Sequence, residues 1–289
     1  MLRKILYLTF ILPIVLSAQD GEYLFRVVIN KGENKIITNG NEDLIEIGSS
    51  FYGGQQISMG NEGYLGLVHR SGEVLDVSQS GIISVSDLGI KVEEKRATSS
   101  REFGKALGLR VTQRGVKSQS TRGLGDDSSV RVLVPEQAKM SLDTCVISWS
   151  LSEGSASANF NVYVKDIFGD TYGEVSTQAL KTSLNFSDLE IESNLFVVSV
   201  TGDNNLTSKD YTIAKVKAED ATEFHAALGE LKAGLSGNSP LDNLILASFF
   251  EENGYLIDAI TVYESGLDRF PEIRGFYDIF LEFNGLSAK

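Results

Sequence analysis

The hydrophobic period of this chain changes along its length, and that change limits its fold more than any other feature. From Tyr23 to Val85, and again from Val130 to Val216, apolar residues come in short runs broken by turn residues, the pattern of half-buried strands. After Lys217 they recur three and four apart, which is one face of a helix. The expected fold class is therefore multi-domain, β + β + α: a small all-β domain, a β-sandwich and a C-terminal helical bundle of repeat-like hairpins. A length of 289 residues agrees with two or three domains. The divisions expected are 19–90, 130–216 and 217–289, with a short helix and a basic flexible linker over 91–129.

Residues 1–18 read as a signal peptide. Arg3 and Lys4 precede an uncharged run from Ile5 to Leu16, followed by small Ser17 and Ala18. A charged start, a short apolar stretch and small residues at the cut are the order of a secretory leader. The run is too short for a membrane span, which needs about 20 residues. No cysteine stands at the junction to carry a lipid. The expectation is an exported, soluble, periplasmic chain with no transmembrane span beyond the signal.

In the first β stretch, Arg70-Ser71-Gly72-Glu73 lies between two apolar runs and reads as a hairpin turn with glycine supplying positive φ. Strands are expected at Tyr23–Ile29, Leu44–Ile47, Gln56–Ser58, Tyr64–His69, Val74–Val77 and Ile82–Val85. The segment Gly63 to Leu88, GYLGLVHRSGEVLDVSQSGIISVSDL, resembles the small β domain in the periplasmic part of FecR-type sigma regulators. Only the domain type is carried over from that resemblance, not sigma-factor regulation. Beyond it, Ser100 before Phe103, Ala106 and Leu107 predicts a short helix. The Gly-, Ser- and Arg-rich text of 112–129 predicts a linker.

In the second β stretch seven strands are expected, at Arg131–Val134, Thr144–Trp149, Phe160–Asp166, Gly173–Thr177, Ser183–Phe186, Leu195–Val200 and Tyr211–Lys215. With Ile147-x-Trp149, Phe160-x-Val162-x-Val164 and Phe196-x-Val198-x-Val200, the segment resembles bacterial fibronectin type III or immunoglobulin-like modules. That resemblance implies a sandwich with Trp149 as its core anchor. Cys145, the one cysteine, reads as inert core packing. The loop Gly202 to Asn205 reads as a turn rather than a calcium loop, since no glutamate closes it.

In the helical part, Ser239-Pro240 is a cap followed by proline at the first helical position, and Gly254 ends that helix. Leu246, Ala247, Phe250, Ala259, Tyr263, Gly266 (where the family prefers Ala) and Pro271 stand at the intervals of a tetratricopeptide repeat, and the hairpin resembles one. A single repeat does not bury a continuous core. Either Ala221–Leu235 and Glu272–Phe283 close it as neighbours, or an apolar face stays open to a partner. The candidate docking residues are Phe250, Tyr255, Tyr263, Phe276 and Tyr277.

Charge excludes some functions and chemistry excludes others. The chain carries 26 basic and 39 acidic residues, a formal net of −13. Its one basic strip, Lys91 to Arg122, holds a single aromatic, Phe103, and so lacks the series of rings a base-stacking platform needs; no nucleic acid is expected. His69 and His225 are the only histidines; His69 reads as a surface group beside a turn. No Gly-x-Ser-x-Gly elbow occurs, and Gly123-Leu124-Gly125 lacks the lysine of a phosphate loop. No catalytic residue, metal site or cofactor is expected. The functional expectation is a non-catalytic scaffold, adaptor or sensor subunit whose partners are envelope proteins. The alternative is binding of peptidoglycan or another glycan, with Phe51, Tyr52 and Tyr64 as contacts.

Overall fold

The computed structural model describes residues 22–94, 104–108, 129–189 and 193–287. The leader, the linker over 112–128 and most of the basic strip lie outside the described residues.

The first stretch forms two antiparallel four-stranded sheets. Its strands are β1 (Phe25–Lys31), β2 (Lys35–Thr38), β3 (Asn41–Leu44), β4 (Ser50–Phe51), β5 (Gln56–Met59), β6 (Tyr64–His69), β7 (Val74–Val77) and β8 (Gly81–Ser84). One sheet runs β4-β1-β6-β7, the other β3-β2-β5-β8. Phe25, Val27, Phe51, Ile57, Leu65 and Leu67 share a core to which α1 (Val85–Glu94) adds Val85, Leu88 and Val92. The turn expected after His69 is present, with Gly72 at φ +99° and the His69 N–H donating to the Glu73 carbonyl at 2.7 Å. The strand expected at Leu44–Ile47 is corrected. It ends at Leu44, because Ile45 turns into the core and donates its N–H to the Asn34 carbonyl at 3.1 Å. A helical turn, α2 (104–108), lies where the Arg26 guanidinium donates to the Gly108 carbonyl at 3.4 Å.

The second stretch is a two-sheet sandwich of nine strands rather than seven. They are β9 (Val130–Val132), β10 (Gln137–Met140), β11 (Thr144–Leu151), β12 (Phe160–Lys165), β13 (Thr171–Thr177), β14 (Lys181–Asn185), β15 (Leu195–Gly202), β16 (Leu206–Thr207) and β17 (Tyr211–Lys215). One sheet runs β10-β17-β15-β12-β13, with β16 paired to β15; the other runs β14-β11-β9. The two unanticipated strands are β10, which pairs parallel with β17, and the two-residue β16. Trp149 is 2% exposed and meets Phe160 edge-on at 5.4 Å, the anchor expected of it.

The helices are α3 (Thr222–Gly234), α4 (Pro240–Glu252), α5 (Leu256–Leu267) and α6 (Arg274–Phe283). Ser239 caps α4 by accepting the Asp242 N–H at 3.0 Å. Gly254, at φ +77°, closes it: its N–H donates to Glu251 and that of Tyr255 to Phe250, at 3.0 and 2.9 Å. That pair of bonds is a Schellman ending.

These helices do not stand apart from the sheets. On β11, Cys145, Ile147 and Trp149 alternate with Val146 and Ser148, so the two sets point to opposite faces. The first set fills the sandwich. Beside it, at the edge of β11 that β9 leaves unpaired, the Val146 N–H donates to Thr261 Oγ1 of α5 at 3.0 Å. In β1 a bulge between Val27 and Ile29 leaves Val27, Val28 and Ile29 all buried. Val27 serves the first core, while Val28 and Ile29 join the core that runs on through the helices into the sandwich.

Close packing of α4 on α5 rests on Gly266. A Cβ there would sit 2.5 Å from the Asn243 side chain. A helical Gly→Ala change ordinarily gains about 0.5–1 kcal/mol. Here the overpacking reverses the sign, and Gly266→Ala is expected to lose roughly 1–3 kcal/mol. The readout is a lower urea midpoint at unchanged slope; a raised midpoint would mean that Asn243 moves aside freely.

Candidate functional site

Where the second β stretch gives way to helix, the chain builds a cleft. After β17 the Val216 N–H donates to the Met140 carbonyl at 2.9 Å, and the backbone then turns through a 3-10 turn, Ala218–Ala221, into α3. This places Glu219, Asp220 and Glu223 on one lip, all exposed. Carboxylates at the start of a helix also complement its dipole. Phe224 points inward, with its ring 4.3 Å from Tyr255, 5.1 Å from Phe249 and 5.9 Å from Phe250. Asn253 and Tyr255, from the junction of α4 and α5, form the facing lip. The cleft is open to solvent and has a volume of about 630 Å³, the size of a small-ligand or side-chain site. Among the described residues, none of the three lip carboxylates has a cationic partner.

The facing lip is held in place by Asp258. This buried carboxylate accepts the Ser141 N–H at 2.7 Å, the Ser141 hydroxyl at 2.9 Å and the Leu142 N–H at 3.3 Å. It thereby ties α5 to the turn between β10 and β11. Burial pushes its pKa up to about 6, against the pull of those donors and of the nearby His225. The Tyr255 phenol is also pushed up, first by burial and then by the Asp258 charge.

The residues expected to dock a partner are placed differently, and most of that expectation is corrected. Phe250, Tyr263, Phe276 and Tyr277 are each 2% exposed or less. Tyr263 stacks on Tyr277 at 5.2 Å within the core that the helices share with the sandwich. Their apolar face is covered by β-sheet instead of by further repeats. Tyr255 alone is half-buried and lines the cleft. The expected glycan cluster does not form. Phe51 is buried and pairs with Phe25, which is opposite His69 on β6, whereas Tyr64 begins that strand. Five residues of strand separate the two levels by about 16 Å. Tyr52 remains half-exposed on its own level, and the Tyr64 hydroxyl is engaged by Asp76.

The lip residues Glu219, Asp220, Glu223 and Phe224 were missed in the sequence. The signal was there: acids crowd the point where strand period gives way to helix period, directly before an aromatic.

Other reactive groups are tied into the fold. His69 is corrected from surface to interior: it is 5% exposed, with Nδ1 2.7 Å from the Ser71 hydroxyl, which itself bonds Glu73. In a Ser-His-acid triad the imidazole stands between hydroxyl and carboxylate. Here the hydroxyl is in the middle, so the group staples a turn. Cys145 is fully buried, and burial pushes its thiol pKa up, away from reactivity. Asp203 accepts the N–H groups of Ala158 and Asn159 at 3.2 and 3.0 Å, as a turn anchor.

No protein-family model matches the chain, and no curated protein does. Among solved structures, a cell surface anchoring domain matches 22% of this chain and 86% of its own length, at 17% identity and a TM-score of 0.21. The Arg-specific cysteine proteinase gingipain R matches 45% of this chain and 31% of its own, at 14% identity and a TM-score of 0.23. The fibronectin(III)-like modules of Clostridium thermocellum CbhA match 63% and 76%, at 9% identity and a TM-score of 0.21. Likenesses of this size leave function to the chain's own geometry.

Removal of the Asp258 anchor gives a test. Asp258→Ala strands the Ser141 and Leu142 N–H groups and is expected to cost roughly 2–4 kcal/mol. The pH dependence follows from burial. A carboxyl raised in the fold contributes stability that is full below its unfolded pKa of about 3.9. That contribution is lost as pH rises through about 6. The thermal midpoint of the parent should therefore fall relative to Asp258→Asn between pH 4 and 7. A constant difference over that range would refute the burial-dominated account.

Proposed function

We propose that the chain is an exported, non-catalytic interaction subunit of the cell envelope, a scaffold, adaptor or sensor, whose contact site is the cleft between α3 and the α4–α5 junction. The observation that carries this is a half-exposed aromatic floor, Phe224 and Tyr255, in a cleft of about 630 Å³. Exposed aromatics in a concave site are the usual anchors of protein contacts. Export rests on the order of residues 1–18, and among the described residues no helix is long and apolar enough to cross a membrane. The division at 19–90, 130–216 and 217–289, and the FecR-like, fibronectin-like and tetratricopeptide-like types, belong to the same proposal.

Deletion of the helical part is a poor test, because it would open the core that the helices share with the sandwich. A photo-crosslinking residue placed singly at Glu223, at Asn253, or at distant exposed Glu153 leaves the core alone. Illumination of intact cells is expected to give a discrete adduct from the two lip positions and none from Glu153. Lip positions that give no adduct above the Glu153 background would defeat the proposal.

A further inference from the structure

The chemistry of the cleft narrows its partner. No Lys, Arg or His is among its lining residues, so nothing in it would offset the charge of a bound anion. Among the described residues the three lip carboxylates have no cationic partner, and no three His, Cys, Asp or Glu groups converge as metal ligands. The negative charge is spread around the opening instead of being focused on one point. Below it, the Phe224 and Tyr255 rings lie 4.3 Å apart at 42°, with Phe249 and Phe250 behind them. Aromatic faces attract cations electrostatically, more so when the cation is partly desolvated. Diffuse carboxylates over an aromatic floor suit an organic cation on an apolar stem. Such a stem can lie on the rings while its charge stays at the lip.

Resting on the interaction reading above, we propose that the cleft receives a lysine or arginine side chain from an extended cationic segment of a partner protein. The stem packs on Phe224 and Tyr255, and the charged head sits among Glu219, Asp220 and Glu223. Specificity is then set by charge placed over an apolar floor, which a rim charge alone does not give.

The test is calorimetric titration of the purified protein with a capped Gly-Lys-Gly-Lys-Gly peptide and with its Nε-acetylated form, at about 0.1 M salt, where exposed charges more than about 10 Å apart are largely screened. The parent should bind the cationic peptide and not the acetylated one. The triple change Glu219→Gln, Asp220→Asn, Glu223→Gln should weaken binding at least tenfold. Tyr255→Leu, which keeps an apolar floor but removes one ring, should weaken it about two- to fivefold. A control triple on the sandwich, Glu153→Gln in the turn after β11 with Asp170→Asn and Glu174→Gln at the β13 edge, should leave affinity unchanged. Equal weakening by the control would overturn the proposal in favour of the general field of an acidic chain. Equal binding of the acetylated peptide, or full affinity in Tyr255→Leu with an unchanged thermal midpoint, would overturn it too. Crosslinks at the lip in cells without any peptide binding would refute the cationic partner and leave the interaction reading standing. Absence of both would remove the two together.

Discussion

The carboxylate of Asp258, set against the turn between β10 and β11, is the contact on which the placement of the helices depends. It lies in the first turn of α5 and takes three donors from Ser141 and Leu142. One turn further, Thr261 accepts the N–H of Val146. Two polar contacts one helical turn apart set both the position and the rotation of α5 over β11. Hydrophobic burial by itself has no direction, so these bonds add a register to what side-chain packing provides. Tyr255 stands three residues before Asp258, so the anchor that seats α5 also places one wall of the cleft. A buried carboxylate is costly, and here its donors are backbone groups that would themselves be stranded without it.

Two strands connect the helices to the rest of the molecule. β11 shares one core with them and meets α5 along its free edge, whereas β1, by its bulge, serves two cores. A lone helical hairpin with an apolar face needs cover, and these strands supply it. Tyr263 of α5 and Phe276, Tyr277 and Phe280 of α6 are therefore spent on holding the molecule together, while Phe283 at the end of α6 is exposed. Phe224, by contrast, comes from the first turn of α3, which sends Leu228 and Leu231 into the core while Phe224 itself stays half-buried. The exposed floor lies where the cover runs out.

Features that depend on a few adjacent residues were legible in the sequence. Gly72 and Gly254 at positive φ, and the Ser239-Pro240 cap, are dictated by local backbone sterics and hydrogen bonding. The alternation of Phe160, Val162 and Val164 specifies a strand wherever it ends up. Features that depend on distant partners were hidden. The four residues of β10 look like loop until β17, more than seventy positions later, pairs with them. Val27 to Ile29 reads as an ordinary apolar run, and nothing in it announces a bulge. Tyr263 and Tyr277 carry the right pattern for an interface, but pattern tells only that a face is buried, not by what. Asp258 reads as one acid among many. The cleft combines 219–227 with 253–255, two stretches brought together by the packing of Phe224 on Phe249 and Tyr255 and by the seating of α5 through that acid.

Two groups among the acids of the last 72 residues differ in what they do. Asp242, Asp258 and Glu264 are buried and bonded: Asp242 to the Gly237 N–H at 2.9 Å, Asp258 to the β10–β11 turn, and Glu264 to Lys181 of β14 at 3.4 Å. Each holds one segment against another. Glu219, Asp220 and Glu223 hold nothing in this way, and their one structural service is to the first turn of α3. A helix start needs an acid or two for that purpose. It does not need three of them gathered on the rim of an aromatic cleft. Since the fold does not depend on the full set, its charge acts mainly on whatever approaches the opening between Phe224 and Tyr255.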